Sequence, residues 1–204
     1  MRFGQRPVGH MLLTLLALWP AAAVAAEPLP LPSVDFAAQG TFIGGGTLTI
    51  RHHGGMLRTD MAIPGAPMPM TGYFDLATRK ALMVASTPAG PMAMEVNLAD
   101  QAGYGAMIGT GVREGRDTVA GEPCDIWRIE TNRPEEPVRS CITSDGIALR
   151  TDAVVGGKPQ TVFEITGLTR GAQNPDDLRM PRDVPVMRLP MPQPGAPRPA
   201  LPAR

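Results

Sequence analysis

This sequence carries no excess of either charge: 19 Lys and Arg stand against 19 Asp and Glu in 204 residues. Nothing is therefore available to neutralise a phosphate backbone, which excludes nucleic acid as a partner, or to dock the chain on an anionic membrane surface. A run of about 20 apolar residues, as a spanning helix needs, is also missing. Helix formers are interrupted by 23 Gly and 23 Pro, against a helical bundle, while 43% hydrophobic residues are too many for wholesale disorder. A β-rich class is left. No Gly-x-Ser-x-Gly elbow exposes a nucleophile, and no Lys-Ser/Thr follows the glycines at Gly103, Gly105, Gly109 and Gly111, so neither a hydrolase elbow nor a phosphate loop is present. The reading is a non-enzymatic protein with no catalytic residue and no cofactor.

What is there begins with an address. Arg2 and Arg6 precede the apolar stretch Met11 to Trp19, and the small residues Ala21 to Ala26 follow. Residues 1–26 thus read as a signal peptide cleaved near Ala25 or Ala26, which places the protein in the periplasm. Cleavage leaves 17 basic against 19 acidic residues. In an oxidising compartment Cys124 and Cys141, which flank a turn and form no Cys-x-x-Cys pair, read as a disulfide, with two buried free thiols as the alternative. Such a bridge contributes about 3 kcal/mol, chiefly by restricting the unfolded chain.

Short alternating runs then follow one another. Leu48, Ile50, Leu57, Met61 and Ile63 share one face of a hairpin that turns at Gly54-Gly55. Phe74, Leu76, Leu82 and Val84 read as the inner face of the next pair, and Met92, Met94, Val96 and Leu98 as that of a further strand. Ala99 to Gly111 reads as a loop with two helical turns, because its glycines each lower helix propensity by up to about 1 kcal/mol. Strands over Pro123 to Glu130, Val138 to Thr143, Ile147 to Val155 and Thr161 to Leu168 are separated by Asn132 to Pro137, by Ser144-Asp145-Gly146 as a type I′ signal, and by Gly156-Gly157. Tight turns at this spacing predict an antiparallel meander. From Pro185 to Arg204 seven of twenty residues are Pro, which predicts a disordered Pro-rich tail and places the β-rich domain at 27–184.

The segments Val119 to Trp127, Cys141 to Arg150 and Asn174 to Pro181 (VAGEPCDIW, CITSDGIALR, NPDDLRMP) together resemble an uncharacterised branch of exported bacterial proteins similar to the LolA/LolB lipoprotein carriers. The resemblance covers most of the mature chain. It implies a curved antiparallel sheet of about eleven strands, a half-barrel whose concave face shelters a lipid or lipoprotein acyl chain under a helical lid; the glycine-broken Ala99 to Gly111 and the proline-led entry make a poor lid here, so the fold reads as mainly β with little helix.

Two alternatives come from the residues themselves. Only His52 and His53 remain after cleavage, at a strand end that reads as a surface turn, and eleven methionines remain with them, among them Met68, Met70, Met92, Met94, Met187 and Met191. Thioethers suit Cu(I), so a Met-rich copper protein is one alternative; against it, Met is an adaptable apolar filler where aromatics are only 4%. A structural or adaptor protein acting through a sheet edge or the Pro-rich tail is the other.

Overall fold

Two-residue hairpin turns need backbone of positive φ, and glycine adopts it at no steric cost. The computed structural model describes residues 25–65, 68–88, 90–97, 108–131 and 137–187. In it Gly54 and Gly55 (φ 53° and 82°) join β3 (Gly46–His53) to β4 (Met56–Ala62). Gly156 and Gly157 (φ 60° and 75°) join β11 (Ala148–Val155) to β12 (Lys158–Arg170), and Ala120-Gly121 joins β8 (Thr110–Val119) to β9 (Glu122–Ile129). The remaining strands are β1 (Glu27–Pro28), β2 (Phe36–Phe42), β5 (Met70–Asp75), β6 (Lys80–Thr87), β7 (Gly90–Asn97), β10 (Val138–Ile142) and β13 (Val186–Met187).

All thirteen form one open, curved sheet in the order β1-β8-β9-β10-β11-β12-β2-β3-β4-β5-β6-β7-β13. Eleven of them have five residues or more, the number the resemblance implied; β1 and β13 are two-residue additions at the two edges. The order is that of two meanders, β2–β7 and β8–β12, fused where β12 returns antiparallel onto β2 from Phe163↔Phe42 to Arg170↔Phe36. Among the described residues the only helical piece is a 3₁₀ turn at Pro175–Leu178, capped by the Asn174 side chain, which accepts the Asp176 N–H. No helix among them is long and apolar enough to cross a membrane.

The register stacks the inner side chains of β2–β7 in cross-strand rows. One row runs Phe36, His52, Leu57, Phe74, Ala81, Val96; the next Ala38, Ile50, Thr59, Gly72, Met83, Met94; the third Gly40, Leu48, Met61, Met70, Ala85, Met92. Alternate residues face outward, including Arg51, Arg58, Asp60, Thr71 and Tyr73. Arg58 donates to both oxygens of Asp60 and, through Nη1, to the Asp177 carbonyl at 3.0 Å. That last bond draws the C-terminal segment across the outer face, where Leu178 is fully buried. The segment ends beside β7: Pro185 O accepts the Ala93 N–H at 2.9 Å, and Val186 pairs with Ala93 in parallel.

In the second meander Trp127, Ile129, Val138, Ile142 and Ala148 form a second cluster with Leu29, and Phe163 packs against both clusters. Cys124 and Cys141 are joined across β9 and β10, as the sequence predicts. The free-thiol alternative is thereby excluded.

Several expectations are corrected. Leu82 and Val84 lie opposite Tyr73 and Thr71 on the outer face; Ala81 and Met83, opposite Phe74 and Gly72, are the inner residues of β6. Five consecutive apolar residues, Ala81 to Ala85, leave the alternation without a phase, and the Asp75–Lys80 turn decides it. The Asp-Gly turn is not type I′. Only Gly146 has positive φ (84°), and its N–H bonds the Thr143 carbonyl at 2.9 Å, which makes a three-residue loop. Glycine is also required there because a Cβ would collide with the Leu31 carbonyl.

The loop expected to run to Gly111 ends earlier, since β8 begins at Thr110 and Gly111 pairs with both Glu27 and Ile129. Most of β8 escapes sequence reading because charges replace the apolar alternation; its carboxylates instead meet arginines of neighbouring strands, Glu114 with Arg128 (2.7 Å) and Arg139 (2.9 Å), Asp117 with Arg150 (2.6 Å). The Pro-rich tail begins with edge strand β13 rather than with a free end. The stretch read as a signal peptide, as far as residue 24, Leu98 and most of the Ala99 to Gly111 stretch, residues 132–136 of the segment read as a turn, and the tail beyond Met187 lie outside the described residues.

Candidate functional site

The three inner rows of β2–β7, closed at one side by β11 and β12, enclose a cavity of about 320 Å³. Phe36, Phe42, Leu48, Ile50 and Phe74 supply rigid apolar wall; Met61, Met70, Met83 and Met94 supply an adaptable one. Phe163 and Ala148 contribute from the second meander. Ile63 and Met94, both exposed, stand at its rim. Among the described residues no charged side chain lines it, and Thr59 is its single polar residue.

Alternation in the sequence puts Leu48, Ile50, Met61, Ile63, Phe74, Met94 and Val96 on inner faces, and all seven line this cavity. It missed Met83 for the reason of phase given above. Thr59, polar and so not an apolar marker, alternates in step with Leu57 and Met61, and that spacing is the signal in the sequence that places it inward. Phe42, Phe163 and Ala148 come together only through the β12–β2 pairing, which no local pattern announces.

The two histidines part company. His52 is not a surface residue: it sits in the first inner row, 2% exposed, stacked on Phe36 with ring centroids 5.5 Å apart. Its Nδ1 donates to the Val34 carbonyl (2.8 Å) and its Nε2 accepts the Gly55 N–H (3.1 Å). Both nitrogens are thereby engaged by a neutral ring, and burial pushes its pKa below the ordinary value. His53 faces outward and pairs with Asp35 at 2.7 Å, a bond that holds the Asp35 carboxyl below its usual range.

The His–Met constellation that a copper site would use is not assembled. Met70 lies opposite Met61 and His52 opposite Leu57, so the two are separated by four residues of β4, about 13 Å at the strand rise. Met70 is a cavity residue, and Met68 stands just before β5 in a half-buried position. Among the described residues no group of three His, Cys, Asp or Glu side chains is arranged to hold a metal ion.

No family model matches this sequence, and no curated protein matches it. Solved structures do. An uncharacterized conserved protein from Thermus thermophilus superposes with a TM-score of 0.52 at 14% identity, over 77% of this chain and 91% of that one. MucB in a MucA/MucB complex from Pseudomonas aeruginosa aligns with a TM-score of 0.44 at 18% identity, over 73% of this chain and 56% of that chain. A second structure, of MucB in complex with MucA(peri), gives the same TM-score and identity over 76% of this chain and 56% of that chain. At such identities the first of these likenesses is one of fold alone.

Proposed function

We propose that this protein is a non-enzymatic periplasmic binder that shelters a lipid-like chain, such as a lipid or lipoprotein acyl group, in the concave face of its sheet. One observation carries this reading: among the described residues the cavity is lined by fourteen apolar side chains and one threonine, with no charge to repel a hydrocarbon. Pockets of about 300 Å³ and more with such linings are where small apolar ligands bind. The volume corresponds to about ten water-sized groups at ~30 Å³ each, the scale of a medium-length acyl chain. Four methionines on the wall suit a ligand that differs in length or branching, since thioether side chains repack at little cost. The disulfide fits an exported protein.

Native mass spectrometry of protein purified from the periplasm is expected to show co-purifying lipid, and a fluorescent fatty acid is expected to bind the delipidated protein with saturation. Protein that is repeatedly empty and takes up no fluorescent fatty acid overturns the reading.

A further inference from the structure

Two polar side chains interrupt the apolar inner rows of β2–β7, and they are provided for differently. Each ring nitrogen of His52 has a backbone partner. Thr59 is only 6% exposed, and its Oγ1 is buried with no hydrogen-bond partner. An unpaired buried hydroxyl destabilises a fold, and a valine of the same shape would remove the penalty.

The position of this hydroxyl is specific. Thr59 lies between Ile50 and Gly72 in the middle row, and among the described residues it is the only polar one lining the cavity. At Gly72 a Cβ would come within 2.6 Å of both Thr59 Oγ1 and Phe74 Cε2, so the missing side chain seats the hydroxyl and the edge of the Phe74 ring side by side. Phe74 itself lines the cavity. Met83 pairs with Gly72 on the neighbouring strand and is adaptable, so a turn of the Phe74 ring is the one movement a ligand would require to reach Oγ1.

We propose that Thr59 Oγ1 is the contact for a single hydrogen-bonding group carried part-way along an otherwise apolar chain, so that the preferred ligand class is a hydroxylated acyl chain rather than a plain one. The inference rests on the apolar-ligand reading above and narrows it. A threonine hydroxyl both donates and accepts, which suits a chain hydroxyl in either role. A carboxylate headgroup stays at the mouth, because among the described residues no charged side chain lines the interior to receive it.

The test is calorimetric titration of delipidated wild-type, Thr59→Val and Thr59→Ser protein with dodecanoic acid and with dodecanoic acids hydroxylated at a mid-chain or terminal carbon. In Thr59→Val the affinity for the best hydroxylated chain, relative to the plain chain, is expected to fall about tenfold, as for the loss of one hydrogen bond in a dry site. The ratio of the two affinities, not the plain-chain affinity itself, is the readout, and Thr59→Ser is expected to retain the wild-type ratio. Thermal unfolding of Thr59→Val, expected at or above the wild-type temperature, shows that the variant folds. If both ligand types bind wild type and the preference is absent or survives in Thr59→Val, the inference fails while the apolar-ligand reading stands. If wild type binds neither, both fail together.

Discussion

At the scale of single residues, His52 illustrates how a polar side chain is kept in an apolar wall. Its neutral ring donates once and accepts once, and protonation would break the acceptor bond from the Gly55 N–H. Desolvation adds to this, so the folded-state pKa lies below the 6.5 of the unfolded chain. The sign follows. Between the folded and unfolded values the unfolded state binds more protons, so stability is complete above 6.5 and declines as pH falls below it. Urea unfolding at neutral and mildly acidic pH is expected to show this decline in wild type and a shallower one in His52→Gln. An equal slope in both proteins would mean that His52 titrates alike in both states. Asp35 and His53 lie beside it and are common to both proteins, so their contribution cancels in the comparison.

At the scale of the element, β6 shows where alternation stops being informative. Leu48, Ile50, Leu57 and Met61 were legible as inner residues because Thr49, Arg51, Arg58 and Asp60 separate them. Between Ala81 and Ala85 every residue is apolar, and pairing Asp75 with Lys80 across a four-residue turn turns Met83 inward and Leu82 outward. The two faces separate experimentally. Met83→Glu places a carboxylate in the cavity and is expected to weaken fluorescent fatty acid uptake at least tenfold. Leu82→Gln, on the outer face, is expected to lower stability by about 1 kcal/mol and leave uptake unchanged. The reverse pattern of uptake would restore the phase read from sequence. β8 shows the complementary failure: its carboxylates reach Arg128 on β9, Arg139 on β10 and Arg150 on β11, and exposed ion pairs of this kind, worth about 0–1 kcal/mol each, leave no apolar period to read.

At the scale of the whole molecule, the sheet is open and its edges need management. One edge is lengthened by Glu27–Pro28 on β8, the other by Val186–Met187 on β7. The second is reached because the chain, after the 3₁₀ turn, crosses the outer face under the Arg58–Asp177 bond. A chain ending at Met187 is expected to match the full-length protein in stability. One ending at Val184 loses the Pro185 acceptor of the Ala93 N–H and the β13 pairing, and is expected to lose about 1–2 kcal/mol. It is also expected to self-associate in sedimentation experiments through the bared β7 edge. Equal stability and a monomer in both truncations would show that the edge needs no cover.

Local physics settles in the sequence itself whatever lies within about ten residues. The Gly54-Gly55 and Gly156-Gly157 turns and the inward phase of β3 and β4 follow from backbone freedom and alternation, while the β-rich class and the pairing of the only two cysteines follow from composition and count. What waited for the tertiary structure is everything that depends on bringing distant segments together. β12 folds back on β2 and carries Phe163 to Phe42, the C-terminal segment buries Leu178 and pairs with the β7 edge, and the curvature of the joined meanders turns separate apolar faces into one cavity around Thr59. Hydrogen bonds between strands more than a hundred residues apart, and the bending of the sheet they close, leave no periodic trace in either strand alone.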